Sequence, residues 1–269
     1  MCPNCRAFVT NSDKVCPYCN QQIGRRAIDS REPGAILGGL IPPGHFTTIL
    51  ILLINAALFA VTEVLAKSYG GETVALVALG AKFGPEITQN HEWWRLVTAG
   101  FLHGGWLHIG MNSWVLWGLG AEVEQVYGTA RYLVIYLVAT VAGFYLSFLL
   151  NPMIVSIGAS AGLTGFIGAM IAFGMSHRSS QGNALRNHYV QWIIYILAIG
   201  FIGGLGVDNW AHLGGLAGGF AVGWVAGIPV RSSKEREAMW RVLGALSVII
   251  TAYCFLMVYL HFPTPDQLR

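Results

Sequence analysis

Ser160 lies in Gly158-Ala159-Ser160-Ala161-Gly162, at the head of an apolar stretch long enough to cross a membrane. His212 holds the same kind of position in a later apolar segment, Asn209-Trp210-Ala211-His212-Leu213-Gly214-Gly215. A serine hydroxyl is a weak nucleophile until a base such as neutral imidazole takes its proton. A Ser160–His212 pair therefore fits acyl transfer, with Ser160 as nucleophile and His212 as general base. The tetrahedral intermediate needs donors for its oxyanion. The Asn112 side chain, His108 and the Ser160 backbone N–H are of the right type. No third triad member is evident, since Asp208, one turn before His212, reads as a helix N-cap.

Each residue also has a plain structural reading. A serine in a membrane helix usually bonds its own backbone or lets helices approach closely. His108 and Asn112, four apart on one helix face, could simply hydrogen-bond across a bundle. An intramembrane ionisable group such as His212 is by default a functional hypothesis. It is the combination that points to chemistry, and the combination depends on the helices.

The chain is 54% hydrophobic and 11% charged, where a soluble domain carries about 25% charged residues. It reads as an all-α polytopic membrane protein. The first 46 residues hold no long apolar run, so no cleavable signal peptide is expected. Seven spans are expected, roughly at 47–66, 106–126, 131–151, 158–176, 189–207, 209–228 and 239–260. The break between the fifth and sixth falls in Gly203-Gly204-Leu205-Gly206. Residues 67–105 hold charges, glycines, Pro85 and short amphipathic stretches, and read as a long, partly embedded connection. The positive-inside rule favours a cytosolic N-terminus, collecting Arg25, Arg26, Arg31, Arg131, Arg178, Arg186, Arg231, Lys234, Arg236 and Arg241 on the inner side. Lys67, Lys82, Arg95 and Arg269 then lie outside, with the C-terminus.

With that topology spans two, four and six all run inward from the outer face. His108, Asn112, Ser160 and His212 then share one layer below the outer surface, and buried polar groups in lipid face the bundle interior, water or each other. Span six carries Gly214-xxx-Gly218 and Gly215-xxx-Gly219, and span four Ala161-xxx-Gly165-xxx-Ala169. Small residues four apart permit close backbone approach, which a short serine needs to reach a neighbouring histidine. Dense packing without catalysis would use the same glycines. The two halves of the chain share no motifs, and the acidic residues lie mostly at span ends and in loops, which disfavours a repeat-built or proton-relay transporter. No basic run or nucleic-acid motif is present.

Ahead of the membrane region, Cys2-Pro3-Asn4-Cys5 and Cys16-Pro17-Tyr18-Cys19 form two CxxC knuckles with ten residues between them. Four thiolates on one ion complete a tetrahedral site suited to Zn²⁺, with iron second. Disulfides are the alternative, but the cytosolic placement disfavours them. Residues 1–24 are expected to form a small zinc-ribbon-like module, structural or partner-binding, whose folding depends on the metal. Residues 25–46 read as a linker, 47–262 as the membrane domain and 263–269 as a short tail. Cys254 reads as a buried small hydrophobe.

From about Thr47 to His261 the pattern resembles the rhomboid family of intramembrane serine proteases. His103-xxxx-His108-xxx-Asn112 resembles the family's second-helix signature, and Glu92-Trp93-Trp94-Arg95 the Trp-Arg motif of its first loop. Gly158-Ala159-Ser160 resembles the nucleophile motif, and Ala211-His212-xx-Gly215-xxx-Gly219 the base-bearing helix. Gly120-Ala121-Glu122-Val123-Glu124 resembles the end of the second helix. The resemblance implies a six-helix core around a water-accessible Ser160–His212 dyad opening outward, followed by a seventh C-terminal helix. It implies that His108 and Asn112 help form the oxyanion site, Arg95 supports the first loop, and His103 lies near the site as a structural or water-ordering residue. The implied reaction is hydrolysis of peptide bonds in or beside a substrate's transmembrane segment, with no cofactor for catalysis. A CxxC pair ahead of the core resembles the family's zinc-ribbon variants. The alternative is a silent relative that captures membrane clients. Two positions depart from the family pattern: Ala161 follows the serine in place of glycine, and Thr164 replaces an aromatic that would pack against the histidine. Phe166, two residues further along, is a ring that could compensate, which sequence alone does not show.

Overall fold

The computed structural model describes Cys16, Cys19 and residues 45–68, 70–177, 179–202, 206–227 and 232–263. The chain divides into two units, Met1–Pro43 and Gly44–Arg269. Of the first unit only Cys16, which is buried, and the half-buried Cys19 are described, so the expected site over Cys2, Cys5, Cys16 and Cys19 and the linker fall largely outside the described residues.

The second unit is helical, and among the described residues the only strand-like pairing is a single antiparallel bridge between Lys82 and Ser156. Helix α1 (Phe46–Ser68) buries Thr48, Ile51, Asn55, Phe59 and Thr62, a stripe at three- and four-residue spacing, and turns Leu50, Leu53, Val61 and Val64 outward. Its first N–H groups have no intrahelical acceptor. The Glu124 carboxylate accepts from Thr47 N at 3.0 Å, Thr48 N at 3.1 Å and Thr48 Oγ1 at 3.0 Å.

The connection read as partly embedded contains three short helices, α2 (Glu72–Ala78), α3 (Gly84–Gln89) and α4 (Arg95–Thr98), then a 3₁₀ turn over Ala99–Phe101. Helix α5 (Trp106–Val115) passes through a π-helical turn (Leu116–Gly120) into α6 (Ala121–Leu150). Gly128, at φ 75° and ψ 160°, breaks this run between the second and third expected spans. Among the described residues four helices follow: α7 (Ser160–Ser176), α8 (Ser180–Phe201), α9 (Asn209–Ala226) and α10 (Lys234–Leu260). Among the described residues α1, the run Trp106–Leu150 and α10 are long and apolar enough to cross a bilayer; α7 is apolar but has 17 residues.

Several boundaries differ from those expected, for local reasons. Helix α8 starts at Ser180 rather than 189, because the Ser179 hydroxyl caps it by accepting from Gly182 N at 3.0 Å, and it ends at Phe201 rather than 207. Helix α10 starts at Lys234 rather than 239, capped by the Ser233 hydroxyl. Helix α7 starts at Ser160 rather than 158, because Gly158 has φ +121° and cannot continue a helix backward. The serine is therefore the first residue of its helix, where a span starting at 158 would make it the third.

Helices α6, α7 and α9 form the packed centre. A Cβ on Gly215 would strike the Ala161 carbonyl, one on Gly219 the Gly165 backbone, and one on Gly223 would come within 2.7 Å of Ala169 Cα. Both helices advance by four residues in the same direction, so α7 and α9 are parallel with their backbones in contact. Helix α6 runs antiparallel to both: Gly143 faces Ala161 and Ala211, Gly214 faces Ala142, and Gly218 faces Ala142 and Val138. Tyr127 Oη on α6 donates to Ala169 O on α7 at 2.7 Å, and Tyr136 Oη donates to Gly100 O at 2.9 Å. Cys254 is buried in the core, as its apolar setting suggested.

Candidate active site

Three helix N-termini carry the polar residues singled out in the sequence. His108 is in the first turn of α5, Asn112 in its second, Ser160 opens α7 and His212 lies in the first turn of α9. The α7–α9 register pairs Ala161 with Gly215, Gly165 with Gly219 and Ala169 with Gly223. The same offset sets His212 level with Gly158, half a turn before Ser160. Side chains on a helix lean toward its N-terminus, so both groups lean the same way.

The Gly158 turn joins α5 to this pair. A Cβ on Gly158 would lie 2.7 Å from His108 Nε2 and 3.5 Å from Ser160 Oγ, so the imidazole and the hydroxyl flank one small space. Gly158 N donates to Ala99 O at 2.9 Å, which anchors the turn to the 3₁₀ segment. His103 is fully buried; its Nε2 accepts from Ala159 N at 3.4 Å, and its ring centroid is 5.1 Å from that of His108. Gly104 N donates to His108 Nδ1 at 3.4 Å, leaving Nε2 as the nitrogen facing Gly158. The Asn112 amide donates to His108 O on its own helix at 3.0 Å.

His212 is buried, and its Nδ1 has no hydrogen-bond partner among the described residues. Asp208 caps α9: its Oδ1 accepts from Trp210 N at 3.2 Å and Ala211 N at 3.1 Å, as the sequence suggested, while Ser147 Oγ donates to Oδ2. Phe166 packs on Tyr132 and Tyr136, at centroid separations of 4.5 and 5.7 Å, and makes no ring contact with His212. The expected compensation for Thr164 is therefore corrected: two residues along a helix turn a side chain by about half a revolution. Thr164 is buried and donates from Oγ1 to Ala161 O at 3.0 Å.

Arg95 is held inside the first connection. Its Nε donates to Glu92 Oε2 at 2.6 Å, and its Nη1 to Val77 O at 2.6 Å and Ala81 O at 3.1 Å. Sequence reasoning missed two contributors. Lys82, counted only as an outer charge, is fully buried and donates from Nζ to Asn151 O at 2.9 Å and Ile154 O at 3.1 Å. Glu72 accepts from Gly105 N at 2.7 Å and so ties α2 to the residue that precedes α5. A buried lysine announces nothing in sequence beyond one charge among apolar neighbours.

A bundle of apolar helices with histidines and a serine gathered at three helix N-termini is the frame of a membrane-embedded polar site. The rhomboid domain model matches residues 90–229, from just after α3 to just past α9, and the chain belongs to the rhomboid family. It is a multi-pass membrane protein. It is 36% identical over 220 residues to the rhomboid protease GluP of Bacillus subtilis, covering 82% of this chain and 42% of the relative. It is 35% identical over 168 residues to the mitochondrial RHOMBOID-like protein 6 of Arabidopsis thaliana, covering 62% of this chain and 54% of the relative. With the rhomboid-like protease 3 of Toxoplasma gondii it shares 31% over 180 residues, 65% of this chain and 66% of the relative. The chain thus spans about half the length of the first two relatives.

Proposed function

We propose that this protein is an intramembrane serine endopeptidase that cleaves peptide bonds in or beside the transmembrane segments of membrane proteins. The observation that carries this reading is the parallel α7–α9 contact, which sets the first turn of α9, bearing His212, beside the first residue of α7, Ser160. Relatives named as proteases support it.

In this mechanism His212 takes the Ser160 proton as the hydroxyl attacks the scissile carbonyl, then returns it to the leaving amine. Ser160 N is the first N–H of α7 and has no intrahelical acceptor, so it is available to the oxyanion. His108 Nε2, across the Gly158 space, and the Asn112 amide supply further donors once substrate draws Asn112 from its intrahelical bond. Water then hydrolyses the acyl-enzyme with His212 again as base. The chemistry calls for no cofactor. The site opens toward the outer side of a cell membrane, with the N-terminus cytosolic and the C-terminus outside, the arrangement the lysine and arginine distribution favours.

The four N-terminal cysteines complete the proposal: they hold one structural Zn²⁺ in a cytosolic module that stabilises the N-terminus or binds a partner. Their two CxxC spacings support this.

The deciding experiment incubates purified protein with a panel of single-span substrates, wild type against Ser160→Ala and His212→Ala. Cleavage by wild type and its loss in both variants, at unchanged protein levels, is the expected result. Equal cleavage by Ser160→Ala would refute the assignment.

A further inference from the structure

Residues 151–159 link α6 to α7 and deliver the chain to Ser160. Lys82 holds this segment in two ways. Its backbone pairs with Ser156 in both directions, Lys82 N to Ser156 O at 3.0 Å and Ser156 N to Lys82 O at 2.9 Å. Its ammonium donates to the carbonyls of Asn151 and Ile154. At the start of that segment Asn151 N donates to Ser147 O, and the Ser147 hydroxyl donates to Asp208, the cap of the helix that carries His212. One lysine thus reaches toward both halves of the dyad.

We propose that Lys82 is a positioning residue for the reaction: its charged side chain clamps the 151–159 segment and, with Asp208, fixes the start of α7 relative to the start of α9. The inference rests on the protease reading only for its effect on catalysis; the clamp itself does not.

A buried ammonium is expensive unless its protons are taken up by acceptors and a counter-charge is near. Here two carbonyls accept hydrogen bonds from the ammonium, and Asp208 lies close enough to favour the charged form. Burial outweighs this and brings the Lys82 pKa down to about 8. The other charges bordering this segment are tied elsewhere. Arg95 reaches the neighbouring Ala81 carbonyl but pairs with Glu92, and Glu86 approaches the same guanidinium at 4.0 Å. Proton loss from Lys82 would replace charge-assisted bonds with weaker neutral ones and remove a positive charge from the surroundings of Asp208.

The sign of the linkage separates this local effect from global unfolding. The unfolded chain keeps the lysine proton to its ordinary value of 10.5, above the folded value of about 8. Between these pH values the unfolded chain binds more protons, so this group's contribution to overall stability rises with pH. The clamp nevertheless weakens over the same window.

Two readouts test the proposal on the full-length protein in detergent micelles: hydrogen-exchange protection of residues 151–159 and 208–212, corrected for the intrinsic pH dependence of exchange, and covalent labelling of Ser160 by an alkyl fluorophosphonate. In labelling, the serine oxygen bonds to phosphorus, fluoride leaves and the base takes the proton. For wild type, both protection and labelling rate should fall above pH 8, labelling by about tenfold at pH 9, where roughly one lysine in ten keeps its proton. Lys82→Arg, which stays charged, should remove this alkaline fall. Lys82→Met should be unprotected and slow at every pH, and if it fails to fold, the wild-type and arginine profiles decide alone. Wild-type protection and labelling in Lys82→Met, or the same alkaline fall in Lys82→Arg, would overturn the clamp. Absence of labelling in wild type with the protection change intact would instead refute the protease reading and leave the clamp standing.

Discussion

The Ala161 carbonyl on α7 lies directly against Gly215 on α9, so close that a single methyl group on Gly215 has nowhere to go. Ala161 is one residue after the proposed nucleophile and Gly215 three after the proposed base, so this contact sets the spacing of the dyad. The obstruction is backbone, with Ala161 C within 2.9 Å of the added atom, and backbone cannot rotate away as a flexible side chain can.

Gly215→Ala should therefore push the helices apart, destabilise the fold by about 1–3 kcal/mol and abolish cleavage. Gly110→Ala is the matched control. It is also a helical glycine, but its added methyl meets nothing within 4 Å, so it should keep activity and gain helix propensity. Thermal melting and substrate cleavage of the two variants check this; equal behaviour would remove the contact from the argument.

A second methyl tests the turn before the nucleophile. Gly158 sits at φ +121°, which L-residues rarely adopt, and its added Cβ would meet His108 Nε2 at 2.7 Å. Strain of this kind is of order 1–3 kcal/mol. Gly158→Ala should therefore lower kcat more than it raises KM, because it displaces catalytic groups without touching distant substrate contacts. A rise in KM alone would speak against this geometry.

How much of this was legible beforehand depended on the kind of signal. Ser160, His212 and the glycine pattern stand out because polar and small residues are conspicuous in apolar segments, and four-residue spacing already implies a helix face. The N-cap role of Asp208 was readable because caps are local. The starts of α8 and α10 were not, since Ser179 and Ser233 cap polar helix ends that hydropathy treats as loop. Phe166 was misjudged because its partners, Tyr132 and Tyr136, come from another helix. Lys82 and Glu72 bond to groups 69 and 33 residues away in sequence, a relation no local pattern carries.

Glu124 illustrates the same point and yields a third prediction. One carboxylate accepts three hydrogen bonds from Thr47 and Thr48, placing a negative charge at the positive end of α1. Glu124→Gln keeps the shape but loses the charge and turns one acceptor into a donor facing an N–H. Stability should fall by about 1–3 kcal/mol, the range for hydrogen bonds to charged groups. Cleavage at low temperature should be nearly unchanged, since α1 does not carry the dyad. A melting curve identical to wild type would show that the carboxylate contributes nothing to holding α1.

The proposed metal module is tested apart from the membrane domain. Reduced full-length protein should contain one zinc per chain, and either Cys5→Ser or Cys16→Ser should release it, since three thiolates at a structural site bind far less firmly than four. Elemental analysis with no metal in properly reduced wild type would refute the site. Because a closed four-thiolate site leaves no open position for chemistry, zinc loss should not alter fluorophosphonate labelling of Ser160.

Thr164 offers the sharpest test of local packing, because the family pattern suggests an aromatic there. Its hydroxyl is within 2.7 Å of the position a Gly215 Cβ would take and donates to Ala161 O, so the side chain sits in the α7–α9 seam. The residue is 1% exposed, which leaves no outlet for a ring. Thr164→Tyr should consequently not improve catalysis; it should lower the melting temperature and the cleavage rate together, overpacking a core that typically loses about 1–3 kcal/mol to such insertions. Thr164→Val removes only the local hydrogen bond, and its effect should be near 1 kcal/mol with cleavage largely kept. If the tyrosine variant instead cleaves faster than wild type at equal stability, the seam is looser than its contacts indicate, and the space beside His212 is large enough to take an aromatic ring.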